Sequence, residues 1–521
     1  MPDTNFQQAS LQVATPNGTA TVSADALAAL RNRLRGALML PGDPGYDTSR
    51  RIWNAMIDRR PAMIIRCAGA ADVIEGVRFA RDQGGLLLAV RGGGHNIAGS
   101  AVCEGGVMLD LSAMRSVRVD PVGRTARVEP GALLSDFDRE AQAFGLATPL
   151  GINSTTGVAG LTLGGGFGWL TRKHGTTVDN LLSADVVTAD GKLVHASADR
   201  NPELFWAIRG GGGNFGVVTS FEFRLHPVGP EVLSGLIVHP LEDAAVLLRQ
   251  YREIVAKAPE ELTCWVVLRK APPLPFLPPE WHGREVLVFA LCYAGDMAEG
   301  RRATAPIEAL GKPIANVVGP HPFAAWQAAF DPLLTDGARN YWKSHDFAAL
   351  SDGMISTVLD HAARLPSPQS EIFIAHLGGA ANRVPVEATA YAHRGAAFTM
   401  NVHTRWETAA EDEACIAWAR GFSTATAPFA TGSVYVNFLG EDEAGRVQAA
   451  YGPNYGRLAQ LKAKYDPTNL FRANQNIRPM GRAMALIVAG LFALGVAACT
   501  PATTSQGGAD FGSYNSASGN S

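Results

Sequence analysis

His95 is placed where an imidazole can do chemistry. It follows three glycines, Gly92, Gly93 and Gly94, in the run RGGGHNIAGSAVCEGGVMLDLS over residues 91–112, and an apolar stretch over 86–90 leads into them. Glycine lets a backbone approach a ligand closely. Successive amides in such a turn form a concave donor site for phosphate. Together they predict a tightly held phosphate-bearing cofactor with one reactive imidazole against it. The same grammar returns as TGVAGLTLGGGFG over 156–168 and GGGGNFG over 210–216. The alternative for any one loop is a tight turn in a β-rich fold. Gly211, Gly213 and Gly216 spell G-x-G-x-x-G, but a dinucleotide fingerprint of the Rossmann kind follows a strand and opens a helix. Here a helix-like run over 201–208 comes first and a strand-like run over 217–225 follows, which argues against a Rossmann domain.

The loops need elements to hold them. A short helix is expected over 24–35 with Ser23 as N-cap. Hairpins are expected over 117–128, turning at Val122-Gly123, and over 186–195, turning at Asp190-Gly191. A helix over 132–144 follows the first. The run 226–230, HPVGP, punctuates the chain. Beyond it, strands over 263–268, 285–293, 371–377 and 397–406 alternate with amphipathic helices. One helix covers 241–257 with Val246, Leu247, Tyr251 and Ile254 on one face. Helices on one face of an antiparallel sheet are the economical arrangement. The proline-rich run 272–279 reads either as a rim of the substrate entrance or as a surface crossing without function. No internal repeat is evident.

The ordered motifs resemble the FAD-linked oxidases of the berberine bridge enzyme type, in their bacterial form. These are built on the p-cresol methylhydroxylase/vanillyl alcohol oxidase flavin fold. The residues that carry the resemblance are R-G-G-G-H-N at 91–96, the glycine run 156–169, H-G-x-x-x-D-N-L at 174–181, A-D-V-V-T-A-D-G at 184–191 and G-G-G-G-N-F-G-V-V at 210–218. Y-x-N-F at 435–438 and K-x-K-Y-D-P-x-N-L-F at 462–471 close the set. The resemblance covers residues 45–479. It implies an α+β fold: a two-part p-cresol methylhydroxylase-type FAD-binding domain plus a substrate domain with an antiparallel sheet covered by helices. The implied layout is a lead-in over 1–44, the FAD-binding domain over 45–235 and the substrate domain over 236–430. A return segment over 431–479 packs on the FAD domain, and a tail over 480–521 is appended.

The same resemblance implies the site. The family's R-G-G-G-H histidine carries an 8α-histidyl bond to FAD, so His95 is the expected covalent anchor. Some members add a bond from a Cys in G-x-C-x-x-x-G. Asn153 stands at that position in 151–157, so a single bond is expected. Cys103 does not fit the second anchor and reads as a buried apolar thiol. Cofactor contacts are expected from Arg91, Gly92, Gly93, Gly94, His95, Asn96, Gly99 and Ser100 in the first loop. The second loop offers Thr156, Gly157, Gly160, Leu161, Gly164, Gly166, Phe167 and Gly168, followed by His174 and Asp179. Gly213, Gly216, Val217, Val218 and Asn474 complete the set. Catalytic candidates are Tyr435 and Asn437. In many relatives the segment reads Y-x-N-Y and its second Tyr has been proposed as base. Phe438 stands there, so that mechanism does not carry over simply, and Tyr435 is either a base or a flavin contact. Substrate candidates are Tyr341, Trp342, His376, Asn401 and His403, with alternation placing Asn401 and His403 on one face. The alternative for each histidine is a satisfied core residue. No metal is expected, since His376 and His403 have no Cys or carboxylate set.

Composition fits this reading. At 521 residues the chain exceeds one core and implies two or three domains. Hydrophobic residues at 47% and charged residues at 18% are those of a globular enzyme, and a net charge of −3 gives no electrostatic case for nucleic acid. The six cysteines are scattered without C-x-x-C, which fits neither a disulfide framework nor a zinc site. No apolar signal core opens the chain, so the cytoplasm is the expected location and no membrane is expected for residues 1–479. The tail reads MGRAMALIVAGLFALGVAAC and then a Ser/Gly/Thr-rich stretch. It resembles a bacterial lipoprotein signal, which acts at an N-terminus. The expectation is a second reading frame joined to the first. A C-terminal membrane anchor is the alternative, although the run is short for a span of about 20 residues. The expected function is oxidation of a small alcohol, sugar or natural-product intermediate by hydride transfer to covalent flavin, with O2 as acceptor. A dehydrogenase or oxidative cyclase of the same fold with another acceptor is the alternative. A non-enzymatic flavin- or carbohydrate-binding protein is the remote one.

Overall fold

Three sheets position the site in the computed structural model, which describes residues 10–481. The first is ordered Ala37–Met39, Met63–Arg66, Val107–Asp110, Leu88–Arg91. Its last three strands are parallel. Parallel strands need a long crossover, and the helix Ala70–Asp82 supplies it. Val73, Val77 and Ala80 of that helix are buried in one core with Ile65 and Leu109. The strand Leu88–Arg91 therefore ends at a fixed place and hands the chain directly to Gly92.

The second sheet is antiparallel, in the order Leu193–Ser197, Leu181–Val187, Val217–Arg224, Thr125–Val128, Val117–Asp120. Both expected hairpins are present, closed at Asp120 against Thr125 and at Val187 against Leu193. The helix expected over 132–144 spans Leu134–Gln142. The one expected over 24–35 spans Ala24–Arg33, and the Ser23 hydroxyl accepts from the Ala26 amide at 3.2 Å.

The third sheet has eight antiparallel strands. Its path runs Ala315–Asn316, Glu231–Pro240, Glu285–Tyr293, Leu262–Lys270, Glu371–His376, Phe398–Trp406, Arg339–Phe347, with Gly319–Pro322 also paired to Glu231–Pro240. The helices Ala244–Val255, Met297–Glu308, Asp352–Ala362 and Asp412–Thr426 bury their apolar stripes with one face. Ile372, Ile374, Met400 and Val402 belong to that core. Side chains alternate along a strand, so Glu371, Phe373, Asn401 and His403 face the other way. Each fully buried aliphatic side chain contributes roughly 1.5–3 kcal/mol. A slip of one residue would turn Asn401 and His403 into that core, so the helix side fixes the register of the site side.

Two details differ from expectation. Val246 is 58% exposed, because the buried stripe is Ala244, Leu247, Leu248, Tyr251 and Val255 at helical spacing. The strand Glu231–Pro240 runs through the expected boundary at 235/236. Among the described residues no helix is long and apolar enough to cross a membrane. The lipoprotein-signal-like tail lies outside the described residues beyond its first two.

Candidate active site

A cavity of about 340 Å³ lies between the glycine loops and the open face of the large sheet. On the loop side, Gly93 and Gly157 press back to back. A Cβ on Gly93 would lie 2.4 Å from the Gly157 nitrogen, and one on Gly157 would lie 2.5 Å from the Gly93 nitrogen. Only glycine lets the first two loops meet this closely. Gly160 and Gly213 also line the cavity, and a Cβ at either would meet nothing within 4 Å. Their backbones thus leave room on the wall for a ligand to approach.

His95 sits at one end of this wall. Its ring stacks on Trp53 at 5.0 Å and 20°. Its Nε2 lies 2.9 Å from the Thr155 hydroxyl, which donates to Asn153 Oδ1 at 2.8 Å. An amide oxygen only accepts, so the Thr155 proton is committed to it. The Thr155 oxygen then accepts from His95 Nε2–H, and Nδ1 keeps the lone pair. Desolvation by the surrounding wall pulls the imidazole down to about 3, which leaves it neutral at physiological pH. A neutral imidazole with a free lone pair is a competent nucleophile.

The sheet side is a row of side chains across four strands. Arg269 stands opposite Glu371, Glu371 opposite His403, and His403 opposite Trp342. The next inward row sets Phe373 opposite Asn401. Glu371 accepts from Arg269 Nη1 at 2.8 Å and meets His403 Nδ1 at 3.1 Å. Burial raises the Glu371 carboxyl, but Arg269 and His403 outweigh it and hold the group below the ordinary carboxylate value. Three buried polar atoms on this wall have no partner: His403 Nε2, Asn401 Oδ1 and Trp342 Nε1.

The segment after residue 431 closes the site. The Gly166 amide and Asn437 Nδ2 both donate to the Tyr435 oxygen, at 3.0 and 2.9 Å. Those donors favour the phenolate, but burial wins and the phenol rises to about 12. Phe438 stands edge-on to Trp342 at 5.5 Å. The Cys103 thiol is buried, donates to the Val107 carbonyl and is pushed up to about 12 by burial.

Most residues expected from sequence line this cavity. They include Gly92, Gly93, Gly94, His95, Asn96 and Ser100, then Thr156, Gly157, Gly160, Leu161, Gly164 and Phe167. Gly213, Gly216, Val217, Val218 and Asn474 lie there with Trp342, Asn401, His403, Tyr435 and Asn437. Others do not. Arg91 bonds the Ser49 carbonyl, Gly99 packs on Ile57, and Gly166 and Gly168 turn tightly against Thr177 and the Leu150 carbonyl. His174 stacks on His226 at 3.9 Å, and Asp179 pairs with Arg394 at 2.6 Å. Tyr341 donates to Asp442 at 2.6 Å outside the cavity. His376 meets Arg172 at 3.1 Å and stacks on Phe398. Strand alternation explains the last two: Trp342 and Phe373 point inward, so Tyr341 and His376 do not. Trp53, Thr155 and Glu371 were not foreseen. Glu371 shares the parity of Phe373 on the strand expected over 371–377, and that alternation is the signal that points to it. The proline-rich run packs Leu274, Phe276 and Leu277 over a small apolar cavity that shares Trp265, Glu371 and Phe373 with the main one.

The chemistry of the wall fits a flavin dinucleotide: close-approach backbone, open space at Gly160 and Gly213, and an unpartnered Asn474 Oδ1. The family model described as FAD binding domain matches residues 61–197, and the one described as berberine and berberine-like matches 434–478. The chain is 32% identical to a Dictyostelium discoideum FAD-linked oxidoreductase over 454 residues, which is 86% of this chain and 95% of that one. It is also 32% identical to (R)-6-hydroxynicotine oxidase of Paenarthrobacter nicotinovorans over 463 residues, 86% and 98% of the two chains. Among solved structures, 6-hydroxy-D-nicotine oxidase from Arthrobacter nicotinovorans superposes with a TM-score of 0.77 at 31% identity, over 86% and 98% of the chains. Xylooligosaccharide oxidase from Myceliophthora thermophila, in complex with xylobiose, gives 0.77 at 26% identity, over 88% and 100%.

Proposed function

The chain belongs to the berberine and berberine-like FAD-linked oxidoreductases, and within that family we propose that it oxidises a small alcohol, sugar or natural-product intermediate with FAD bonded to His95 alone and O2 as acceptor. Bound FAD supplies the sink for a hydride leaving a substrate carbon. The observation that carries this reading is the cavity's construction, with a nucleophile-ready His95 in the glycine wall and three unpartnered polar atoms on the opposite wall. The first two loops, Gly213, Val217, Val218 and Asn474 would hold the dinucleotide. Trp342 Nε1 offers one donor, and Asn401 Oδ1 and His403 Nε2 offer acceptors, which suits the edge of a hydroxylated molecule. Asn153 at the second-anchor position and the buried, high-pKa Cys103 support a single bond. Tyr435, whose oxygen already takes two donors, would hold the closing segment against Gly166 rather than remove a proton. In this reading residues 45–235 and 431–479 carry the cofactor, and 236–430 carry the substrate. We place the enzyme in the cytoplasm.

The relatives' names span an amine, 6-hydroxynicotine, and xylooligosaccharides. Mixing the purified protein anaerobically with xylobiose, benzyl alcohol and a panel of related carbinols tests the reading. The expected result is bleaching of the flavin band by a carbinol, with peroxide released once air is admitted. Bleaching that persists in air would replace O2 with another acceptor. No bleaching by any carbinol, with bleaching by an amine, would contradict the substrate class.

A further inference from the structure

We propose that His403, oriented by Glu371, is the base that takes the hydroxyl proton of a carbinol substrate; this rests on the oxidase reading above and names the residue that performs its proton transfer. The need for such a residue is set by the site itself. Phe438 carries no atom that takes a proton, and the Tyr435 oxygen is saturated by two donors and raised to about 12. His403 has what both lack. Its Nε2 is buried at the cavity wall without a partner. Its Nδ1 faces Glu371 Oε1 at 3.1 Å. A carboxylate only accepts, so it fixes the ring proton on Nδ1 and leaves the lone pair on Nε2 of a ring that lines the cavity. Arg269 at 2.8 Å and the nearby Arg405 keep Glu371 ionised for that task. The arrangement is a base held by a third group, the logic of a catalytic triad without its nucleophile.

Position agrees with role. Trp53 stacks on His95 at 5.0 Å and lies 6.4 Å from His403, and Trp342 meets His403 edge-on at 4.9 Å. The anchor and the base therefore flank the same indole, at the same end of the cavity. In the step assigned to it, the substrate O–H bond breaks toward Nε2. The adjacent C–H bond gives its hydrogen and electron pair to the bound cofactor, and the C–O bond becomes double. The oxidant is the FAD of the established family chemistry. An amine oxidised as its free base needs no such base, so the dyad points to carbinols, meaning alcohols and sugar hemiacetals. Glu371 acts on the substrate proton only through His403 Nδ1 and is a positioning residue.

The test uses the yellow holoenzyme. A histidine-selective nitrogen-15 spectrum at about pH 8, above the ordinary histidine range, is compared with that of His403→Gln to assign the resonance. The expected spectrum shows Nδ1 protonated and Nε2 bare, with Glu371→Leu losing that preference. A proton on Nε2 in the wild type would overturn the proposal whatever the substrate proves to be. Anaerobic bleaching by the productive carbinol should slow on the order of 10²- to 10⁴-fold in His403→Ala and recover in part with added imidazole. Flavin content should stay equal. Unslowed bleaching in His403→Ala, or slowing that imidazole does not relieve, would also overturn it. Should His403→Ala fail to fold, His403→Gln serves in both measurements. A colourless wild type would instead undo the flavin reading, a different failure from a misplaced proton.

Discussion

The tautomer of His95 is set by its neighbours. Asn153 takes the Thr155 proton, Thr155 takes the Nε2 proton of His95, and Nδ1 is left free. Thr155→Val removes the acceptor while keeping the shape. It should leave FAD bound but lower the covalently attached fraction by roughly tenfold or more, whereas Thr155→Ser should retain it. The ratio of flavin fluorescence on a denaturing gel to flavin absorbance in the native protein reads this directly. An unchanged ratio in Thr155→Val would mean that the hydroxyl does not set the tautomer. Histidine position alone is the part of this that sequence could supply. The tautomer depends on a residue 60 positions away, and no spacing rule reaches that far.

Two buried acidic groups show how elements are tied to each other. Asp138, on the helix Leu134–Gln142, meets Gln327 on Phe323–Gln327 at 3.2 Å, and its other oxygen has no partner. Burial raises its carboxyl from 3.8 to about 7, with Gln327 opposing. The folded state then binds more protons than the unfolded chain across that window. Stability should fall as pH rises through it and level off above about 7. Asp138→Asn keeps the shape and an acceptor for Gln327 Nε2 but carries no titrating charge. It should flatten that slope and add about 2 kcal/mol near pH 8, measured by urea unfolding; an unchanged slope would show that Asp138 is not its source. Lys462, on the helix Tyr455–Tyr465, donates to Asp466 at 2.6 Å and to the Asn214 and Phe471 carbonyls at 2.8 Å, and both members of the pair are fully buried. Lys462→Met strands the Asp466 charge and should cost about 3–5 kcal/mol in the same measurement, loosening the third glycine loop with it. A cost within a few tenths would show the pair to be dispensable. This pair is the physical content of the closing K-x-K-Y-D-P motif. The hairpins and the helix over 134–142 were legible because turn residues and apolar periodicity coincide there. The strand Arg339–Phe347 was not, because Arg, Asn, Lys, Ser, His and Asp interrupt its pattern; several of them bond neighbouring segments, as Arg339 does Asp412 and Lys343 does Asp442. The strand that carries Glu371 was legible, but its pairing with His403 was not: the two are 32 positions apart, and only the cross-strand register joins them.

At the scale of the whole molecule, the flavin side and the large sheet meet along residues 53–55. Trp53 Nε1 donates to the Leu334 carbonyl at 2.9 Å, Asn54 exchanges bonds with Asn340, and the Ala55 amide donates to the Ala338 carbonyl. Together with the Ser154–Asp331 and Thr263–Trp169 bonds, this short run ties the anchor wall to the polar wall. Asn54→Leu removes buried bonds worth about 1–3 kcal/mol once their partners are left unsatisfied. It should weaken substrate binding without changing the covalent flavin fraction, and an altered flavin fraction would contradict that division. Every residue named at the site lies in the compact unit Met1–Pro479. A chain ending there should keep its full flavin content. The family, the FAD loops and the α+β architecture were visible in the ordered motifs; the row Arg269, Glu371, His403, Trp342 emerges only when four strands are laid side by side. The central claim is that one histidine, His95, bonds the flavin of a carbinol oxidase. Denaturing the purified wild type and His95→Ala on a gel and imaging flavin fluorescence tests it most directly. A fluorescent wild-type band beside a dark mutant band is the predicted result. A dark wild-type band, or a mutant that fluoresces equally, would contradict it.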